Sequence, residues 1–282
     1  MFEQNFKTFN FLPRGKNIRF GEGGNRVFNR EKKISDKKKP LITIITTVLN
    51  GEKYLEETIK SVIEQSYKNF EYIIIDGGST DQTLEIIKRY EKNISYWVSE
   101  KDQGLYYGFN KGMQLASGDF IGIVNSDDVL ENNALKILVS YINRNQNVDF
   151  IFGSVKKHWG VLHGYNPKKI KYSWGFYSSH STGFFIKRSS AKKVGLYDTK
   201  YKYHADYDYF YRMIVGLKLN GIATKREEIF GTFRRGGFSS TISFKNRFME
   251  EIKIRFNNKQ NIIILLIIFS YRFLKNFKKF FD

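Results

Sequence analysis

Asp76-Gly-Gly-Ser-Thr-Asp81 follows directly on the apolar run Phe70-Glu-Tyr-Ile-Ile-Ile75 and precedes the helix-patterned Gln82-Thr-Leu-Glu-Ile-Ile-Lys-Arg-Tyr90. A carboxylate at the carboxyl end of a buried strand stands where open α/β sheets bind their ligands. Two glycines let the backbone turn sharply and come close to a ligand. Ser79, Thr80 and Asp81 then supply an N-cap and favourable charge for the next helix. The stretch reads either as a nucleotide or sugar-nucleotide site or as a plain capped βα turn. It has neither the GxGxxG spacing of a dinucleotide fingerprint nor the GxxxxGK[ST] of a phosphate loop, which argues against a dehydrogenase or a P-loop enzyme.

Asn125-Ser-Asp-Asp128 is the second such feature. Adjacent carboxylates at a strand end repel unless a cation or a donor neutralises them. Mg²⁺ and Mn²⁺ choose oxygen ligands and often bridge to substrate phosphates. One carboxylate could hold the metal while its neighbour holds the ribose or the loop; the alternative is an Asp-rich N-cap. Between the two acidic ends lies Ser99-Glu-Lys-Asp-Gln-Gly-Leu-Tyr-Tyr-Gly-Phe-Asn-Lys-Gly112. Asp102 and Gly104 mark a turn there. Lys111 is placed either to meet nucleotide phosphates or to sit solvated on a helix.

The elements that must position these groups follow from periodicity. The β-branched Leu41–Val48 predicts a strand buried on both faces, and 53–65 a helix. Residues 70–75, 95–98 and 120–124 predict further strands, with helices over 82–90 and 105–116 and another marked by Leu135, Ile137, Leu138 and Ile142. This alternation predicts an α/β fold, a mostly parallel sheet with helices on both faces. Residues 149–153, 183–186 and 227–233 read as strands completing the same sheet, and 206–217 as an aromatic-rich helix. Residues 1–39, basic and aperiodic, read as an extension packed loosely on a catalytic domain spanning 40–240. Residues 241–282 read as a helical tail.

The chain has 282 residues, no cysteine and a net charge of +19. There is no disulfide framework or thiolate metal site. Met1-Phe-Glu-Gln-Asn-Phe-Lys7 has no apolar core of a secretory signal, so a cytoplasmic protein is expected. The charge suits nucleic acid, anionic lipid or phosphorylated ligands. No zinc-finger spacing or RNA-binding aromatic motif supports nucleic acid. In the tail, residues 262–269 are eight consecutive apolar residues, against the about 20 needed to span a bilayer. On a helix, Ile262, Leu266, Phe269, Phe273, Phe277 and Phe280 share one face, with Arg272, Lys275 and Lys279 elsewhere. That pattern fits an interfacial helix on an anionic membrane, peripheral on the cytoplasmic face of the inner membrane. A helix docked on the domain and a dimer contact are the alternatives.

Thr47-Val-Leu-Asn50, Asp76-Gly-Gly-Ser-Thr-Asp81, Ser99 to Gly112 and Asn125-Ser-Asp-Asp128 occur in the order and spacing of family-2 glycosyltransferases of the GT-A fold. Over residues 41–240 the chain resembles bacterial members that build O-antigen, capsule or exopolysaccharide. The resemblance implies a Rossmann-like domain that moves a hexose-type sugar from a nucleotide donor, UDP-linked, to a saccharide or lipid-linked saccharide, with inversion and a Mn²⁺ or Mg²⁺ cofactor. It implies nucleotide-sugar contacts by Asn50, Asp76, Gly77, Ser79, Asp102, Lys111, Asp127, Gly236 and Gly237. Asp127 and Asp128 look like the Asp-x-Asp metal motif, with Asp128 favoured as ligand. His204-Ala-Asp-Tyr-Asp208 resembles the later acidic motif, which makes Asp206 the catalytic base and Asp208 the fallback. Ser179-His-Ser-Thr-Gly-Phe-Phe185 resembles a pocket segment carrying His180. Gln82 departs from the pattern, where Gly is common. From the residues without the resemblance, Asp206 reads first as a helix N-terminal residue facing the dipole. A sugar-nucleotide nucleotidyltransferase and a non-catalytic nucleotide-sugar or polyanion binder remain as rivals.

Overall fold

The computed structural model of the chain describes residues 6–14, 18–28, 35–172, 181–234 and 243–280. The first half contains β1 (Arg19–Gly23), β2 (Ile42–Val48), α1 (Leu55–Ile63), β3 (Phe70–Asp76), α2 (Thr83–Arg89), β4 (Tyr96–Glu100), α3 (Leu105–Leu115), β5 (Phe120–Ile123), β6 (Val129–Leu130) and α4 (Ala134–Arg144). The second contains β7 (Phe150–Phe152), β8 (Ser154–Lys157), β9 (Gly160–Leu162), α5 (Pro167–Tyr172), β10 (Phe184–Lys187), α6 (Arg188–Val194), α7 (Ala205–Tyr211), β11 (Gly221–Ala223), β12 (Ile229–Thr232), α8 (Phe244–Asn257) and α9 (Ile262–Lys275).

Among the described residues the main sheet has eight strands in the order β1-β4-β3-β2-β5-β10-β7-β11. β2 runs parallel to β3 and β5, and β3 parallel to β4. Every residue of β2 and of β3 is buried, because helices cover both faces. The period of two then sorts the side chains. Ile42, Ile44, Tyr72 and Ile74 pack with Leu55, Ile59, Leu135 and Leu138 of α1 and α4. Ile45, Ile121 and Ile123 pack on the other face with Phe109 and Met113 of α3 and with Tyr209 of α7. Gly112 lets α3 lie against β2, since a Cβ there would run into the Ile45 side chain.

Three expectations change. Arg19–Gly23, inside the segment read as a loose extension, is an edge strand antiparallel to β4. Arg19 reaches Glu22 at 2.8 Å and Glu100 at 3.2 Å, and Arg26 meets the buried Glu71 at 2.5 Å. Cation–carboxylate pairs, not apolar alternation, stitch this segment down. Second, β12 pairs with β6 and β8 in a separate sheet, ordered β6-β12-β8-β9. Third, the helix expected over 206–217 gives way after Tyr211 to a π-helical turn, Arg212–Gly216.

α8 packs on α7 and α9 on α8. Arg272 of α9 pairs with Glu251 of α8, and beside them a fully buried Arg255 bonds Glu251 at 3.2 Å, Gln260 Oε1 at 2.8 Å and the Lys171 carbonyl of α5 at 3.2 Å. Glu251 also pairs with Arg272, so Arg255→Met leaves no bare carboxylate but takes the donor from Gln260 Oε1. It is expected to lower stability by about 1–3 kcal/mol; an unchanged urea midpoint would contradict this. In α9, Leu265 and Ile268 are the buried side chains. Of the expected stripe, Phe269 packs on Phe248 at 5.4 Å and Phe273 stacks on Phe269, whereas Ile262 and Leu266 are exposed. The Phe280 side chain lies outside the described residues. Among the described residues no helix is long and apolar enough to cross a membrane.

Candidate active site

β2, β3, β4 and β5 end at one edge, and the acidic groups gather there. Asp76 closes β3 with its carboxylate fully buried. It accepts from the Ser79 amide at 3.1 Å, the Gly78 amide at 3.3 Å, Ser79 Oγ at 2.5 Å and Ser99 Oγ at 2.5 Å. Those donors wrap residues 77–79 around it, with Gly78 in the left-handed region at φ 87°. Asn50, itself at φ 51°, laces this loop to the end of β2. Its amide donates to Ser79 Oγ at 2.7 Å and its Oδ1 accepts from the Thr80 amide at 2.9 Å.

Asp102 faces the same loop. A Cβ on Gly77 would lie 3.1 Å from Asp102 Oδ1, so the loop backbone passes against that carboxylate. Burial pushes the Asp102 pKa up, opposed by the Gly104 amide and by Lys111. Lys111 Nζ is 3.0 Å from Glu100 Oε1 and largely covered. The structure thus places Lys111 in an ion pair at the end of β4.

Asp128 is fully buried beneath Asp127. Its Oδ2 accepts from Thr182 Oγ1 at 2.6 Å and Asn125 Nδ2 at 3.0 Å, and its Oδ1 from the Arg234 amide at 3.2 Å. Burial outweighs these donors and, with Asp127 alongside, pushes the pKa up to about 7. Burial also raises Asp127, against the pull of Arg234. Lys157, at the end of β8, is near enough to feel the Asp128 charge. Two adjacent carboxylates, both raised by burial although Arg234 and Lys157 are near, suit a divalent cation. Among the described residues no three His, Cys, Asp or Glu side chains gather. That donor set fits a hard cation held by one or two carboxylates and completed by a ligand's phosphates.

Asp206 opens α7, partly exposed. Its Oδ1 accepts from the Tyr106 hydroxyl at 3.2 Å and the Tyr207 amide at 2.8 Å. Tyr106 lies in the first turn of α3, just beyond Asp102, so Asp206 belongs to the same edge. Tyr106→Phe is expected to lower kcat about tenfold, the loss of one hydrogen bond to a charged group. KM should stay within about twofold, since the bond lost is one to the Asp206 carboxylate. An equal rise in KM would assign Tyr106 to substrate binding. Asp208, two residues on, is turned away. It pairs with Arg212 Nε at 2.8 Å and Asn258 Nδ2 at 2.8 Å, beside a cavity of about 60 Å³ also lined by Tyr201.

The match to the description "Glycosyl transferase family 2" runs over residues 43–202, more than half of the chain. The chain belongs to this family. It is 30% identical over 195 residues to an uncharacterized glycosyltransferase of Methanocaldococcus jannaschii, covering 64% of this chain and 67% of that protein. It is 26% identical over 238 residues to a PGL/p-HBAD biosynthesis glycosyltransferase of Mycobacterium bovis, covering 81% and 90%. Among solved structures it is similar to S. aureus TarS 1-349 in complex with UDP-GlcNAc, with a TM-score of 0.61 and 18% identity over 82% of this chain and 72% of that one. The mannosyltransferase PcManGT of Pyrobaculum calidifontis, in complex with GDP-Man and Mn²⁺, gives a TM-score of 0.61 at 15% identity, covering 86% and 72%. A longer TarS chain is spanned over 39% of its length. The fold is GT-A, and this family-2 chain is a glycosyltransferase.

The family-2 fold thus brings Asn50, Asp76, Gly77, Ser79 and Asp102 into one loop cluster and Asp127 and Asp128 into a second. Gly236, Gly237 and His180 lie outside the described residues. Sequence reasoning gave no role to Tyr106, Ser99, Thr182 or Arg234. Ser99 stands in register opposite Asp76 in β4, a pairing visible only once the two strands are aligned. Tyr106 lies within the Ser99–Gly112 motif, but its Asp206 partner is 100 positions away and is set by the placement of α7.

Proposed function

We propose that the protein transfers a hexose-type sugar from a UDP-linked donor to a saccharide or lipid-linked saccharide, with inversion, in cell-surface polysaccharide synthesis. The observation that carries this is the meeting, at one sheet edge, of the Asp76–Asp102 loop cluster, the Asp127–Asp128 pair and Asp206. Donor complexes of similar folds, UDP-GlcNAc in TarS and GDP-Man with Mn²⁺ in the mannosyltransferase, support a nucleotide-sugar donor.

In this reading the loop shaped by Asp76, Ser79 and Asn50 seats the nucleotide, with Asp102 beside it. Asp127 and Asp128 would hold the divalent cation. When bound, the cation supplies positive charge to the departing nucleoside diphosphate. Asp206 accepts the proton of the acceptor hydroxyl as that oxygen attacks the anomeric carbon from the face opposite the leaving group. The Tyr106 hydroxyl and the Tyr207 amide hold Asp206 Oδ1 and so fix the carboxylate at the start of α7. The test is a panel of nucleotide sugars with Mn²⁺ or Mg²⁺ and a membrane lipid extract. Cation-dependent release of nucleoside diphosphate from one donor supports the proposal. Consumption of a nucleoside triphosphate with release of pyrophosphate would instead identify a nucleotidyltransferase.

A further inference from the structure

The outer face of α9 points to an anionic lipid surface. Leu265 and Ile268 seat this helix on the domain with Ile264 half-buried, which turns its other aliphatic side chains outward. Ile262, Ile263, Leu266, Ile267 and Leu274 are 54%, 64%, 58%, 60% and 73% exposed. On a helix of 3.6 residues per turn these five fall on one side, an aliphatic strip broken at the exposed Ser270. Soluble monomers rarely leave such a strip uncovered.

The charge around the strip selects its occupant. From Ile252 to Phe281 the chain carries seven cationic residues and no Asp or Glu. Arg255 and Arg272 are consumed by the buried Glu251. Lys253, Lys259, Lys275, Lys278 and Lys279 are exposed. A second copy meeting this face about a two-fold axis would set lysine against lysine. An anionic bilayer instead accepts aliphatic side chains between its headgroups while its phosphates meet the lysines. With 14 residues, α9 is ~21 Å long against a hydrocarbon core of ~30 Å, so it lies along the surface and does not cross it.

We propose that α9 docks this enzyme on an anionic membrane surface, with Ile263, Leu266, Ile267 and Leu274 inserted at the headgroup boundary and Lys275, Lys278 and Lys279 over the lipid phosphates. The test is co-flotation of the full chain with phosphatidylcholine vesicles, with and without phosphatidylglycerol as about a third of the lipid. The full chain is expected to float with the anionic vesicles only, and less as salt rises from ~0.1 to ~0.5 M. Leu266→Glu/Ile267→Glu, on the exposed face, should lower the bound fraction at least about tenfold while the thermal midpoint is kept. Lys278→Glu/Lys279→Glu should weaken binding to anionic vesicles by about fivefold or more. Failure of the full chain to float, or equal recovery with both vesicle types, overturns the proposal. So does a concentration-dependent dimer that Leu266→Glu abolishes, because it would make a second copy the occupant. Flotation does not depend on donor or acceptor, so these outcomes stand apart from the sugar-transfer reading.

Discussion

Asp206→Asn is expected to lower kcat for sugar transfer by about 10³-fold while nucleotide-sugar affinity stays within about twofold. The amide keeps the shape of the carboxylate and can still accept from Tyr106 and the Tyr207 amide, so α7 keeps its start. What it lacks is an oxygen basic enough to take the proton of an attacking hydroxyl. Single-turnover transfer to an acceptor, beside calorimetric titration of UDP or UDP-sugar, separates the two quantities. A variant that keeps a third of the wild-type kcat would remove Asp206 from the role of base. Asp208→Asn is the contrasting case: its partner Arg212 also donates to the Leu196 carbonyl at 2.8 Å. Loss there should fall on the thermal midpoint, not on the chemical step.

The second large effect concerns Asp128 and its response to pH. Its carboxyl is held at about 7 by burial, against an ordinary value of 3.8. The folded, cation-free protein therefore keeps this proton where the unfolded chain has lost it. The resulting stabilisation is complete below about pH 4 and is lost as pH rises through about 7. A divalent cation needs the ionised form, so its affinity should rise up to tenfold per pH unit below about 7 and level off above. Thermal midpoints with and without Mn²⁺ plus UDP, from pH 5 to about 8, should diverge as pH rises. Asp128→Ala should erase that divergence and reduce cation-dependent turnover by at least about 10²-fold. A cation effect of the same size at both ends of the range would show that Asp128 is not a ligand.

β2 was legible because an uninterrupted β-branched run reads as a strand covered on both faces, and β3 and β5 because short apolar runs there end at turn residues. The Asp76 turn was legible because its glycines and hydroxyls suit a βα junction and little else. β1 was not, since Arg-Phe-Gly-Glu-Gly carries no apolar alternation and is held by ion pairs that Arg19, and Arg26 just beyond the strand, make to residues 81 and 45 positions away. Nor could the pattern of 227–233 say which sheet it joins, because that choice is made by its neighbours β6 and β8. At the site, Asp206 and Asp208 are chemically alike and two residues apart. Only the phase of α7 against Tyr106 on one side and Arg212 with Asn258 on the other tells them apart. Lys111 has the same history: its spacing permitted a phosphate contact, and Glu100 occupies it.

Glu250 of α8 accepts the backbone amides of Lys202, Tyr203 and His204, the three residues leading into α7. The helix that carries α9 is thereby tied to the residue that would act as base. If the outer strip of α9 rests on lipid, the pair of helices becomes a stiff spacer of fixed length between the bilayer and Asp206. The enzyme would then measure its acceptor by height: a hydroxyl standing that far above the membrane is presented to the base, and one nearer or farther is not.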